Sequence, residues 1–559
     1  MGGASRPAWP WLRAQRGRPP GVRGKIAVPA FDVLIKNGTI IDGTGRPGFR
    51  ADVGVLGDRI AAVGDLRGPD VTAATVVDAA GKVVCPGFID THVHSDLMLL
   101  ADPVHEAALR QGVTTEILGQ DGLSYAPLSP ENLRAYRRYL AGLNGNPDLP
   151  YTWSTVAEFR ACFDRTVAVN TAYLVPHGAI RLEAVGFRDA PLVGEALERA
   201  RRLLAQGLEE GAVGFSTGLS YYPCSWADTE ELVELCGVVA RYDRPYVVHL
   251  RTVFRGEPSD PVAEALEVGR RSGVKVHFSH FRTGPSTAGQ VAQLMAPIDR
   301  AKAEGIDCTL ETYPYPTGSS QGLMFLPPWA HDGGPDALLA RLKDPEIRRR
   351  LAREIDYAYM GSARGTRGWH EIVFSYLPKN SDLVGLTFVE AAARRGKEVP
   401  DLLCDLLLEE EFRVGFWGLP PESAVWEQID RDIMTLLSRP DYMVGSDAIW
   451  VGQQPHPRAY GCFARILGPL RRRYGVPLEL LINRMTAVPA ARFGLRDRGV
   501  LAPGKFADIA VFDPETITDT STYENPRSLA VGVEWVLVNG RVALAGGRPT
   551  GVLAGRPVP

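Results

Sequence analysis

Val83-Val84-Cys85-Pro86-Gly87-Phe88-Ile89-Asp90-Thr91-His92-Val93-His94 carries the reading of the fold. An apolar, strand-like run ends in two histidines at positions i and i+2. Side chains alternate across a strand, so the rings of His92 and His94 leave one face at its C-terminal end, where they can grip one metal ion. A pair of satisfied core histidines is the competing reading of an isolated His-x-His. The rest of the chain weighs against it, because other apolar runs also end in His, Asp or Tyr.

Those runs are 113–118, 171–175, 213–216, 246–249, 274–280, 308–313 and 442–447. Between them lie segments with apolar residues recurring at three and four positions, at 193–211, 228–241, 261–272 and 291–305, the mark of amphipathic helices. Counting the first run, strands alternate with helices in the manner of a metal-dependent (β/α)8 TIM barrel. Catalytic groups in that architecture sit at the C-terminal ends of the strands, where these polar residues fall.

Bulk properties agree with a large enzyme. The chain has 559 residues, 45% of them hydrophobic and 23% charged, enough for a sizeable core and a second domain. A net charge of -3 gives no electrostatic footprint for nucleic acid or an anionic membrane surface. No apolar stretch reaches about 18 residues, so no membrane span is expected. The seven cysteines are scattered without a C-x-x-C, as in reduced cytoplasmic proteins. Residues 1–30 hold Pro, Gly and basic residues but no acidic ones and no apolar signal core, and read as a disordered extension.

Short strand-like segments joined by Asn37-Gly38 and Asp42-Gly43 turns follow, and the far C-terminus repeats the pattern at 507–512 and 533–540. The expected organisation is a small β-sandwich built from both chain ends, at 31–85 and 495–559, with the barrel inserted at 86–494.

These motifs carry a resemblance. The Pro86-to-His94 strand, Gly214-Phe215-Ser216-Thr217-Gly218-Leu219, Gly445-Ser446-Asp447, the later Pro455-His456-Pro457-Arg458 with Tyr460-Gly461, and the ending from Gly499 to Pro514 together resemble the amidohydrolase superfamily. Within it, they are similar to the N-acyl-D-amino-acid deacylases (D-aminoacylases). The match runs from about Phe31 to the C-terminus.

The resemblance implies one or two Zn²⁺ ions. His249 and His280 match the imidazole ligands of the tighter site, and His92, His94 and Asp447 those of a second, often weaker one. Many amidohydrolases bridge the two with a strand-four lysine, which is missing from 213–219. The deacylases use a cysteine in a Gly-Asn-Cys-Gly turn. Here that turn is Gly119-Gln120-Asp121-Gly122, so Asp121 stands where the thiolate would be. A carboxylate is a harder ligand and shifts preference toward Mn²⁺ or another oxygen-loving divalent ion. The competing reading makes Asp121 an Asx-turn residue. Asp447 is the expected catalytic base and then acid.

An N-acyl amino acid presents a free carboxylate, which planar guanidinium groups bind through paired donors. Arg458 and Arg282 lie where the family places its carboxylate contacts, although Arg282 replaces a lysine. Tyr221, Tyr313 or Tyr315 are candidate hydroxyl donors, and His177 matches a family His-Gly segment with a contact or supporting role. Trp329, Trp369 and Trp450 suggest a pocket that accepts bulk. The stretch 317–382, with a charged amphipathic helix at 337–355, exceeds a normal βα loop and reads as a lid; its alternative is a dimer contact, so a homo-oligomer stays open.

The function that follows is metal-dependent hydrolysis of the amide bond of an N-acyl-D-amino acid. The alternatives are another amidohydrolase reaction, such as cyclic amide opening or deamination, and a metal-free binding protein.

Overall fold

The computed structural model describes residues 31–68, 70–251, 260–355 and 368–559. The expected extension at 1–30 lies outside the described residues. Eight parallel strands form the barrel in sequence order: β1 (Phe88–Asp90), β2 (Val113–Leu118), β3 (Asn170–Pro176), β4 (Gly214–Gly218), β5 (Pro245–His249), β6 (Lys275–Phe278), β7 (Cys308–Thr312) and β8 (Tyr442–Val444). Each pairs with the next in parallel register. The ring closes just beyond the strand ends, where Val93–His94 pairs in parallel with Ala448–Ile449 and the Asp447 amide donates to the His92 carbonyl at 2.7 Å.

The four helices anticipated from periodicity appear as Gly194–Glu209, Thr229–Arg241, Pro261–Ser272 and Val291–Ala303. Their ends follow local chemistry: the Asp228 side chain accepts from Glu231 N at the start of the second, and Asp260 caps the third ahead of Pro261 at its first position.

The opening apolar run is not one strand. It divides at Gly87 into Val83–Pro86, which belongs to the other sheet, and β1. A side chain at Gly87 would lie 2.2 Å from Thr114 on β2, so the chain changes sheets through a residue with no side chain to clash. Val83–Pro86 pairs antiparallel with Ile509–Phe512 and parallel with Phe31–Ile40, uniting the two chain ends in one nine-stranded sheet. Val33, Ile35, Val53, Val84, Ile509, Val511 and Leu537 share a core of their own there.

Between β7 and β8 the chain builds a further antiparallel sheet from Ser319–Gln321, Gly415–Gly418 and Ile372–Tyr376. Its elements thus run well past the boundary expected at 382. The single helix anticipated at 337–355 is two, Gly334–Lys343 and Pro345–Glu354. Asp344 ends the first and its side chain caps the second, accepting from Glu346 N at 2.8 Å, while Pro345 has no N–H to continue the first. Among the described residues, no helix is long and apolar enough to cross a membrane.

Candidate metal centre at the mouth of the barrel

Strand ends and tight loops deliver the polar residues to one point. Asp121, His280 and Asp447 all have positive φ, at 56°, 36° and 52°, in the left-handed region that non-glycine residues rarely adopt. Backbone strain of this kind persists where surrounding contacts over-determine it. For Asp121 those contacts are visible. The Gln120 amide donates to Thr91 O at 2.7 Å, Asp96 accepts from Gly119 N at 3.1 Å, and Ser216 on β4 accepts from Gly122 N at 3.0 Å. Gly218 lets the loop approach, since a side chain there would lie 2.3 Å from the Asp121 carbonyl.

The Asp121 carboxylate therefore points into the barrel rather than capping its own turn. Its Oδ1 lies 3.6 Å from His92 Nε2, and its Oδ2 lies 3.6 Å from His94 Nε2 and 3.4 Å from His249 Nδ1. Asp447 Oδ1 lies 3.4 Å from His94 Nε2 and 3.7 Å from His92 Nε2. His280 Nε2 and His249 Nδ1 are 2.9 Å apart. Among the described residues, two groups of donor atoms have metal-like spacing, His92 with Asp121 and His280, and His92 with His94 and Asp447. His92 thus belongs to both, which divides the residues differently from the two sites expected from sequence.

Burial and neighbouring charge set the protonation states. Burial pushes the Asp447 carboxyl up, but Arg458 and the imidazoles outweigh it and hold the group well below the usual carboxylate range. Asp121 behaves alike, with His249 and His92 opposing burial. Burial, helped by neighbouring His249, pushes His280 down to about 3, which favours a neutral ring with a free lone pair.

The candidate substrate residues separate. Arg458 is wholly buried, with Nη1 at 2.8 Å from Asp447 Oδ2. Two guanidinium groups lie against Tyr313, Arg282 at 4.5 Å and Arg458 at 4.7 Å from its ring centre, and Arg282 donates to its hydroxyl at 3.0 Å. The Tyr221 ring lies 4.9 Å from that of His249, and its hydroxyl is 2.9 Å from Ser320 of the inserted sheet.

Tyr315 is not among them: its hydroxyl donates to Asp519 at 3.3 Å and its ring packs on Arg465 and His456. His177 also lies apart, with Nε2 2.7 Å from Glu231, because it opens the helix His177–Val185 instead of ending β3. The three tryptophans have different aromatic or cationic neighbours. Trp329 stacks on Arg350, Trp369 on Phe388, and Trp450 packs on His105.

Residues that sequence reading passed over complete the site. Glu311, the penultimate residue of β7, is fully buried and lies 2.5 Å from His92 Nδ1. A carboxylate inside an apolar strand was the available signal. Asp96 and Gln120, which hold the Asp121 loop, carry no comparable mark.

The donor set fits a divalent ion. Nε2 of His92 and Oδ1 of Asp121 are buried without a hydrogen-bond partner, an arrangement costly unless something else satisfies them. Imidazole and carboxylate donors at the C-terminal ends of barrel strands define the class, a metal-dependent hydrolase. The chain belongs to the amidohydrolase family, whose model matches residues 75–544.

Among its relatives, a D-aminoacylase of Alcaligenes xylosoxydans xylosoxydans is 34% identical over 94% of this chain and 97% of its own. An N-acyl-D-glutamate deacylase of the same organism is 36% identical over 91% and 93%. Among solved structures, the N-acyl-D-glutamate deacylase of Bordetella bronchiseptica, complexed with zinc and a phosphonate mimic of the tetrahedral intermediate, superposes with a TM-score of 0.76 at 32% identity, covering 95% of this chain and 100% of that one. A D-aminoacylase structure concerned with its binuclear metal centre gives 0.75 at 31%, covering 94% and 99%.

Proposed function

We propose that this enzyme hydrolyses N-acyl-D-amino acids to a carboxylic acid and a D-amino acid, with His92, His94, Asp121, His249, His280 and Asp447 holding one or two divalent ions. The observation that carries this reading is the juxtaposition of that cluster with the Arg282–Tyr313–Arg458 stack through the Arg458–Asp447 contact. The first suits amide hydrolysis and the second suits a substrate with a free carboxylate. The D configuration follows the relatives' names. Zn²⁺ is favoured by the imidazoles; two carboxylates extend the choice to Mn²⁺.

When bound, such an ion supplies a Lewis acid for the amide carbonyl and a water of lowered pKa. Asp447, kept anionic by Arg458, accepts the water proton at Oδ1 and returns it to the amine nitrogen as the C–N bond breaks. Arg282 and the Tyr313 hydroxyl meet the substrate carboxylate and orient the amide. Ser319 and Ser320, from the inserted sheet, contact Arg458 and Tyr221, so this insertion covers the site as a lid.

Replacing His249 or His280 by Ala tests the assignment. Loss of both bound metal and turnover is expected; full activity in a metal-free His249→Ala protein would sink the mechanism.

A further inference from the structure

Glu311 is a buried carboxylate of the barrel whose side chain meets the His92 imidazole without belonging to the candidate ligand set. It accepts from Thr91 Oγ1, and its Oε1 lies 2.5 Å from His92 Nδ1 while its Oε2 lies 3.1 Å from His277 Nε2. Gly445, just after β8, leaves the space for it: a side chain there would lie 2.6 Å from His92 Cβ and 2.8 Å from Glu311 Oε2. Behind it, His277 Nδ1 is 2.8 Å from the Thr309 hydroxyl.

With Glu311 taken as the carboxylate and both rings as neutral, the protons of this chain fall in one order. The Thr309 hydroxyl donates to His277 Nδ1, so His277 Nε2 carries the proton and donates to Glu311. Thr91 donates to the same carboxylate oxygen. The other oxygen accepts from His92 Nδ1–H. That leaves the lone pair of His92 on Nε2, which is the ring nitrogen between Asp121 and Asp447.

We propose that Glu311 is a positioning residue that fixes His92 in the Nδ1–H tautomer and so makes Nε2 a metal ligand, with His277 and Thr91 holding Glu311 in place. The inference rests on the metal centre of the preceding section. It predicts an inversion that a merely structural role does not. Glu311→Gln is nearly isosteric, but its amide can turn an N–H toward His92, which moves the ring proton to Nε2 and blocks the ligand position. Glu311→Ala leaves a larger cavity yet imposes no tautomer.

The experiment measures stability and metal affinity of the purified full-length protein and the two variants, by thermal unfolding of the metal-free forms and by chelator competition with Zn²⁺. Glu311→Ala is expected to be the less stable variant and Glu311→Gln the weaker binder, down roughly 10–100-fold from the parent. Affinity that follows the stability order, or is unchanged in Glu311→Gln, overturns the proposal.

Nitrogen NMR of the histidine rings in the metal-free parent gives a second reading that needs no Glu311 variant to fold. A protonated, strongly hydrogen-bonded Nδ1, assigned to His92 by its loss in His92→Gln, is expected; an Nε2–H signal for His92 overturns the proposal. A parent protein that binds no Zn²⁺ refutes the metal centre itself, which is a separate outcome.

Discussion

Asp121 stands where the resembled deacylases carry a cysteine, and its side chain sits among three imidazoles. Removing it in Asp121→Ala is expected to lower metal content and turnover together, and Asp121→Cys to recover Zn²⁺ binding in part. Metal analysis with rate measurement checks this, and unchanged values in Asp121→Ala return the residue to a turn role. Arg458 acts on both substrate and Asp447, so Arg458→Ala is expected to raise KM and lower kcat. Because the guanidinium favours the Asp447 anion, its loss raises the proton affinity of that carboxyl, and the acidic limb of the kcat/KM profile should move to higher pH. An amide lacking the carboxylate should lose less, since the clamp contributes about 1.5–3 kcal/mol per charge-assisted bond. A pH profile that does not move refutes the coupling. That His92, His94, Asp121, His249, His280 and Asp447 lie close together was expected from the polar ends of apolar runs and from the family resemblance, which singled out Asp121. Tyr313 and Tyr315 were not separable, since the order Tyr-Pro-Tyr says nothing of which hydroxyl turns inward, and His177 directly follows β3 as the first residue of a helix.

At the scale of elements, the helices with capping residues were readable almost to the residue, as at Pro261–Ser272, while the inserted sheet was not. Its strands are three to five residues long and pair across long separations, which leaves no periodicity to read. The short helix Pro328–His331 shows how that insertion is pinned. His331 is buried, stacks on Tyr222 at 4.1 Å, lies 2.7 Å from the Tyr139 hydroxyl, and is pushed down to about 3 by burial. Its folded pKa is below the unfolded value of about 6.5, so its contribution is fully present above that pH and is lost as pH falls toward 3. At pH 5 the loss from this group is about 2 kcal/mol. His331→Gln is expected to flatten the stability difference between pH 8 and pH 5 by about that amount, read from denaturant unfolding at the two pH values. An unaltered difference contradicts the burial of a neutral ring.

For the whole molecule, the sheet made from both chain ends was legible because Asn-Gly and Asp-Gly turns punctuate it, but the buried links between that sheet and the barrel were not. Asp508 accepts from Arg498, from Asn539 N at 2.7 Å and from Asn170 at 3.1 Å, and Asn170 begins β3. Removing one partner of a buried pair costs about 3–5 kcal/mol because the other charge is left alone. Asp508→Ala should therefore lower global stability by that order, with the metal site intact in the remaining folded protein; a change under about 1 kcal/mol would mean that the two bodies hold together without it.

One assay tests the metal-dependent hydrolysis most directly. The purified protein, stripped by chelator and reloaded with Zn²⁺ or Mn²⁺, is offered N-acetyl-D- and N-acetyl-L-amino acids with amine release followed. The prediction is hydrolysis of a D substrate that disappears on stripping and returns on reloading, with the L enantiomer left largely intact. Release from a D substrate by the stripped protein at the same rate, or none from any N-acyl-D-amino acid by a fully loaded one, would contradict it.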